Sequence, residues 1–134
     1  MRDGRTRKVE RVERDDSFSS FLEEWRGVIV ILSGGDAGME YELDRPNVSL
    51  GRGPDVDLAF EDSAMSQEHA AVEFVGHGFR VRDLGSMNGM LVNGADVKAG
   101  DLSSGDRFQI GEHVFQLVLE QRKREPRTYV VADA

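Results

Sequence analysis

Short stretches in which apolar and polar residues alternate run through the middle of the chain, the pattern of half-buried β-strands. Their apolar members are Met39, Tyr41 and Leu43, then Val72 and Phe74, then Phe79 and Val81, and finally Phe108 and Ile110. Residues 27–32 and 114–119 are mostly apolar throughout, which favours buried strands. Fourteen of the 15 glycines lie between Gly27 and Gly111 and separate these stretches. The pattern predicts an all-β domain, an antiparallel sandwich or barrel.

A different spacing precedes the first strand. Apolar residues recur there at intervals of three and four: Phe18, Phe21, Leu22 and Trp25. This spacing predicts a short helix over residues 17–25, with Ser17 or Ser19 as its cap. The helix either packs on the edge of the sandwich or serves as an exposed docking segment for a partner, and the spacing favours packing.

The charge of the chain is unevenly spread along its 134 residues, a length that fits one ordinary domain. Residues 27–119 carry nine more acidic than basic side chains, whereas residues 1–14 carry three more basic than acidic ones. We therefore expect a charged N-terminal arm over residues 1–26, a β-sandwich over residues 27–119 and a C-terminal tail over residues 120–134.

Composition excludes several classes of protein. A net charge of −8 argues against a general binder of nucleic acids or anionic membranes. Cysteine is absent, so disulfides and thiolate chemistry are excluded. No apolar run reaches the roughly 18–20 residues of a membrane-spanning helix, and the first residues are too charged for a secretory signal. These features predict a cytoplasmic protein without a membrane or nucleic-acid partner.

Three patterns partly match a phosphate-binding loop, a hydrolase active site and a metal site, but each lacks an essential part. The glycine-rich segment 33–38 has no Gly-Lys-Ser/Thr ending and favours a simple turn. Ser66 and His69 lack the orienting carboxylate and the glycine elbow of a hydrolase. His69, His77 and His113 lack the paired spacing of zinc ligands. We therefore expect no enzymatic activity, no metal and no cofactor.

A more specific set consists of Arg52, Ser66 and Asn88, which follow predicted strands in separate loops. A guanidinium, a hydroxyl and a carboxamide are the donors that a phosphate dianion and an extended peptide require. Each residue taken singly has a structural explanation. Arg52 can pair with an acid such as Asp55, Ser66 can cap a turn, and Asn88 with the next glycine can form a hairpin turn.

As an ordered set, these motifs resemble the forkhead-associated (FHA) family, whose members bind phosphothreonine. The resemblance spans residues 28–119 and rests on Gly51-Arg52, Ser66-x-x-His69, Asp83-Leu-Gly-Ser-x-Asn-Gly with Val92-Asn-Gly94, and Gly105-Asp-Arg-Phe-Gln-Ile-Gly111. It implies a sandwich of two mainly antiparallel sheets with about eleven short strands and ligand-binding loops at one end.

The resemblance also implies a role for each matching position. Arg52 and Ser66 would grip the phosphate, and Asn88 would hydrogen-bond the ligand backbone beside the phosphorylated residue. The structural supports of these loops would be Gly51, His69 and Gly89.

Three positions depart from the family pattern. Gln67 stands where the family often has arginine or lysine, and Met87 and Met90 stand where threonine is common. Losing one charge-assisted hydrogen bond costs ~1.5–3 kcal/mol, so we expect an affinity about tenfold or more below that of a typical member.

The sequence thus predicts a phosphothreonine-binding signalling adaptor without enzymatic activity, resembling stand-alone bacterial members and acting in a Ser/Thr kinase pathway. The alternative is an interaction module on the same fold that recognises its partner without phosphate, which Gln67 and Met87 make credible.

Only two threonines occur, Thr6 and Thr128, and both lie among basic residues outside the predicted sandwich. Each is followed by valine three positions later, a ligand position that FHA domains commonly read. One hypothesis is that a phosphorylated tail occupies the binding site of its own domain or of a neighbour. The alternative, that both tails are simply solvated, is favoured.

Overall fold

The computed structural model describes residues 17–123, which form one short helix and eleven strands. The helix spans residues 17–24. The strands are β1 (Trp25–Ser33), β2 (Glu40–Glu42), β3 (Asn47–Gly51), β4 (Leu58–Ala59), β5 (Ala70–Val75), β6 (Gly78–Asp83), β7 (Leu91–Val92), β8 (Ala95–Asp96), β9 (Ala99–Leu102), β10 (Arg107–Ile110) and β11 (His113–Gln121). The predicted all-β fold with a short N-terminal helix is confirmed.

The strands form two sheets that pack face to face. One has the order β2-β1-β11-β10-β7-β8 and the other the order β4-β3-β5-β6-β9. Every pairing is antiparallel except that of the short β4 with β3. The two mostly apolar segments identified in the sequence lie side by side as β1 and β11, paired from Trp25↔Gln121 to Ser33↔Val114.

Alternating side chains of both sheets fill the space between them. On β6, Phe79 and Val81 are buried while Arg82 is exposed, as expected for a strand with one face on the core. On β11, Phe115 and Leu117 are fully buried. The ring of Phe115 stacks on Phe108 of β10 at a centroid distance of 4.9 Å.

The helix packs on the sandwich, as the spacing of its apolar residues favoured. Phe18 is buried, and Phe21 lies 5.1 Å from Phe74 and 5.4 Å from Phe79 between ring centroids. These aromatic contacts bury the apolar face of the helix against the β5–β6 hairpin. No helix within residues 17–123 is long and apolar enough to cross a membrane.

The strand directions bring several loops to one end of the sandwich. β3 and β6 both run antiparallel to β5, so the segments after β3, before β5 and after β6 meet there. The candidate residues of the sequence lie in these segments.

Candidate functional site

The end of β3 is joined to the β4–β5 segment by backbone hydrogen bonds. The amide of Arg52 donates to the carbonyl of Ser66 at 2.9 Å, and that of Gly53 donates to Gln67 at 3.1 Å. A side chain at Gly51 would collide with the Gln67 carbonyl, so this position needs glycine. Gly51 therefore supports the site by letting two loops approach each other.

The side chain of Arg52 is exposed and oriented by a single described contact. Its Nε donates to the carbonyl of Met65 at 2.9 Å. Within residues 17–123 it forms no ion pair with Asp55 or any other acid, and its two terminal nitrogens have no hydrogen-bond partner. Those nitrogens are therefore available to an anion.

Ser66 links the β4–β5 segment to the β6–β7 loop. Its hydroxyl oxygen accepts a hydrogen bond from the amide of Met87 at 3.0 Å. Since the oxygen acts as the acceptor in this contact, the hydroxyl proton remains free to be donated to a ligand. The turn-capping explanation for Ser66 is thus replaced by a contact between two loops.

His69 is fully buried and contacts the backbone of both loops. Its Nδ1 accepts from the amide of Ser66 at 3.0 Å, and its Nε2 lies 2.7 Å from the carbonyl of Gly89. Nε2 therefore carries the proton, because Nδ1 is an acceptor. The ring contacts the backbone of Ser66 and not its hydroxyl, so the two do not form a nucleophile–base pair.

The carboxamide of Asn88 also links the β6–β7 loop to the β4–β5 segment. Its Nδ2 donates to the carbonyl of Ala64 at 2.8 Å, and the side chain is exposed to solvent. The following Gly89 has a φ of 81°, which glycine adopts without strain. Asn88 therefore lies at a bend of the β6–β7 loop rather than in a two-residue hairpin turn, with its carboxamide at the surface.

Asp83 holds the start of the β6–β7 loop. Its carboxylate accepts from the backbone amides of Gly85 and Ser86, both at 3.0 Å, and from the Ser86 hydroxyl. Burial opposes ionisation of Asp83, but these hydrogen bonds outweigh it and lower its pKa. The loop that carries Asn88 is therefore fixed to β6 by an ionised carboxylate.

Comparison with known proteins finds relatives of the described sandwich. Residues 30–121 match the family described as the cytoplasmic domain of an inner membrane component of the type III secretion system. An FHA domain solved in a study of phosphothreonine-dependent FHA interactions is 27% identical, with a TM-score of 0.63, and covers 69% of this chain and 95% of its own. The FHA domain of CT664 from Chlamydia trachomatis is 28% identical, with a TM-score of 0.64, and the match covers 69% of this chain and 96% of that domain.

The chain belongs to the forkhead-associated family. Among curated proteins, the glycogen accumulation regulator GarA of Mycolicibacterium smegmatis is 41% identical over 72% of this chain and 60% of its own length. The oxoglutarate dehydrogenase inhibitor of Corynebacterium diphtheriae is 39% identical over 73% of this chain and 67% of its own length. The chain thus spans about three fifths of the length of the GarA relative.

The three departures from the FHA pattern lie in different surroundings. Gln67 is exposed, and its side chain covers Gly53. Met87 is 88% exposed beside Ser66, so an apolar side chain stands at the centre of the candidate site. Met90, by contrast, is 2% exposed and belongs to the core, so its replacement of threonine is a packing feature.

Sequence reasoning missed one pair that supports the site, Asp62 and His113. Asp62 lies in the β4–β5 segment, and its Oδ2 is 2.7 Å from Nδ1 of His113 on β11. The sequence signal was weak, because fifty residues separate the two and His113 appeared only as an unpaired candidate metal ligand. The three histidines do not converge: His69 contacts Gly89, His113 contacts Asp62, and His77 lies exposed in the β5–β6 turn.

Thr6 and Thr128, the candidate phosphorylation sites, lie outside the described residues.

Proposed function

We propose that this chain is a signalling adaptor that binds phosphothreonine peptides at the end of the sandwich formed by the β3–β4, β4–β5 and β6–β7 loops, without enzymatic activity. One observation carries the proposal. The side chains of Arg52, Ser66 and Asn88, each in a different loop, are held together by hydrogen bonds with the backbone of residues 65, 87 and 64, respectively.

The phosphate would be held by Arg52 and Ser66. Arg52 uses only Nε within the protein, which leaves a forked, permanently charged donor for two phosphate oxygens. The Ser66 hydroxyl supplies a neutral donor next to it. The interloop bonds fix both groups before the ligand arrives, which reduces the ordering cost of binding.

The backbone of the ligand would be held by Asn88. Its Nδ2 is already bonded to Ala64, so its free carboxamide oxygen can accept from a backbone amide of an extended peptide. This contact would set the direction in which the peptide leaves the phosphate site.

The charge around the site favours a particular class of ligand. Asp55, Glu61 and Glu68 are exposed in the same loops and form no ion pairs within residues 17–123. Arg52 is the one arginine or lysine in segments 52–57, 60–69 and 84–90. Salt screens such charges beyond about 8 Å. We therefore expect a phosphothreonine flanked by basic residues to be preferred over one flanked by acidic residues.

The partner would be a substrate of a Ser/Thr kinase pathway. Two relatives are named for regulation of glycogen accumulation and inhibition of oxoglutarate dehydrogenase. Phosphoproteins of central metabolism are therefore the partners to screen first.

A degenerate phosphothreonine peptide library, followed by calorimetric titration of the best peptide and its unphosphorylated form, tests the proposal. We expect measurable binding of the phosphorylated form alone. Equal binding of the two forms would show that phosphate is not recognised.

A second candidate function is recognition of a partner without phosphate. The observation that favours it is the 88% exposure of Met87 between Ser66 and Asn88, an apolar contact that an unphosphorylated protein surface can bury. Gln67 supports it as well, since it adds no charge to the site. Equal titrations in the experiment above would select this function.

The charged tails could regulate phosphopeptide binding if one of them is itself a ligand of the site. A tail phosphorylated at Thr6 or Thr128 would compete for the acidic binding end through its basic neighbours. Kinase treatment, mass spectrometry of the modified threonine and titration with an external phosphopeptide test this. Unchanged affinity after confirmed modification would refute it.

A further inference from the structure

A single turn orients two of the groups proposed to bind ligand. The carbonyl of Met65 accepts from Arg52 Nε at 2.9 Å, and the carbonyl of Ala64 accepts from Asn88 Nδ2 at 2.8 Å. These carbonyls belong to consecutive residues of the β4–β5 segment. Any displacement of this turn therefore moves the guanidinium and the carboxamide together.

Asp62 is the first residue of this turn and accepts hydrogen bonds from its backbone. Its Oδ1 accepts from the amide of Ala64 at 3.0 Å, and its backbone carbonyl accepts from the amide of Met65 at 3.0 Å. Its other carboxylate oxygen, Oδ2, accepts from the amide of Glu112 at 2.7 Å, in the turn between β10 and β11. Asp62 thus ties the turn of the binding loop to the opposite sheet.

His113 completes the attachment. Its Nδ1 lies 2.7 Å from Asp62 Oδ2, and the two side chains are 2% and 3% exposed. Its Nε2 lies 3.2 Å from Oδ2 of Asp36, in the β1–β2 turn. Phe60 and Phe115 flank the ring at centroid distances of 5.0 and 6.1 Å. The only titratable groups that the described structure places against the imidazole are therefore Asp36 and Asp62.

The hydrogen bonds around Asp62 favour its ionised form. Burial opposes ionisation of Asp62, but the hydrogen bonds from His113 and from the amides of Glu112 and Ala64 outweigh it and lower its pKa. An ionised carboxylate only accepts hydrogen bonds, so Nδ1 of His113 donates to Asp62. The buried carboxylate thus links His113 to the turn at residues 62–65.

We propose that Asp62 and His113 are positioning residues, which orient Arg52 and Asn88 through the turn at residues 62–65. Neither residue touches the ligand. The consequence for phosphopeptide affinity rests on the proposed function, whereas the orientation of the turn is a property of the free protein.

The orientation is measured first in the free protein. The Asn88 carboxamide is followed by NMR in the wild type, in His113→Asn and in His113→Leu. We expect its signals to shift in His113→Leu and to shift less in His113→Asn, which keeps a donor for Asp62. The matched control is His77→Asn, which removes the exposed histidine of the β5–β6 turn and leaves the Asn88 signals unchanged. Identical Asn88 signals in folded His113→Leu and in the wild type would overturn the proposal.

Binding is then compared between two variants that differ in one hydrogen bond. His113→Asn places an amide donor near the position of Nδ1, whereas His113→Leu has no donor for Asp62. With one phosphothreonine peptide, we expect His113→Leu to bind roughly tenfold more weakly than the wild type, the scale of one charge-assisted bond. His113→Asn should retain more of the affinity than His113→Leu, a rescue that loss of ring packing alone would not give.

Equal affinity of folded His113→Leu and wild type would overturn the proposal. If His113→Leu does not fold, Asp36→Ala takes its place, since Asp36 lies partly exposed in a turn and contacts the other ring nitrogen. Loss of that contact should shift the Asn88 carboxamide signals, and unchanged signals would overturn the proposal. A wild type that binds no phosphopeptide would refute the proposed function, while the NMR comparison of the free proteins would still decide the positioning role.

Discussion

Replacement of Arg52 by alanine removes the only cation from the proposed phosphate site. The side chain is exposed and makes one described hydrogen bond, to Met65, so its loss should change the free energy of unfolding by less than about 1 kcal/mol. The two terminal nitrogens can each form a charge-assisted bond to phosphate at ~1.5–3 kcal/mol. Allowing for exposure of the site, we expect affinity to fall by about 2–4 kcal/mol, or roughly 30- to 1,000-fold.

Calorimetric titration with a phosphothreonine peptide measures this loss, and chemical denaturation checks the fold. Arg107→Ala is the matched control, because Arg107 is an exposed arginine at the start of β10, at the other end of that strand from the Asp62 contact. It removes the same charge and should leave affinity almost unchanged. Arg52→Lys should restore only part of the loss, since an ammonium cannot reproduce the planar fork. Wild-type affinity in a folded Arg52→Ala protein would refute the reasoning.

Three further outcomes are expected. Met87→Thr should raise phosphopeptide affinity by about two- to tenfold, the scale of one neutral hydrogen bond, without a change in stability, as titration and denaturation would show. Gly51→Ala should lower the free energy of unfolding by about 1–3 kcal/mol or more, since its methyl group would collide with Gln67; thermal unfolding equal to wild type would contradict this. The pKa of Asp83 is lower in the folded protein than the value near 4 of an unfolded chain, so ionised Asp83 stabilises the fold above about pH 4. The free energy of unfolding should therefore fall as pH drops below about 4. Asp83→Asn should reduce this pH dependence in acid denaturation.

The longer strands and several turns between them were predictable because they depend on local patterns, whereas the order of the strands in each sheet was not. Alternation such as Phe79 and Val81 around Arg80 requires one face of a strand to be buried, whichever strand lies beside it. The glycines that separate these stretches mark turns for a similarly local reason. The helix was equally readable, since its apolar spacing specifies one face.

The binding groups were also predictable as residue types, because Arg52, Ser66 and Asn88 stand in separate motifs with distinctive neighbours. Their arrangement was not. The sequence offered Asp55 as a partner of Arg52, whereas the described structure orients that guanidinium by the backbone carbonyl of Met65. Backbone carbonyls are present at every residue and leave no signal in the sequence.

What the sequence determined by itself was therefore the class of fold and the chemical groups available at the loops, since hydrophobic period and side-chain type are local properties of the chain. Only the tertiary structure decided which groups act together. The pairing of Asp62 with His113 across fifty residues depends on how two sheets close over a common core, and so do the hydrogen bonds from Arg52 and Asn88 to the turn at residues 62–65. Contacts of that kind follow from packing geometry, which no single segment of the chain encodes.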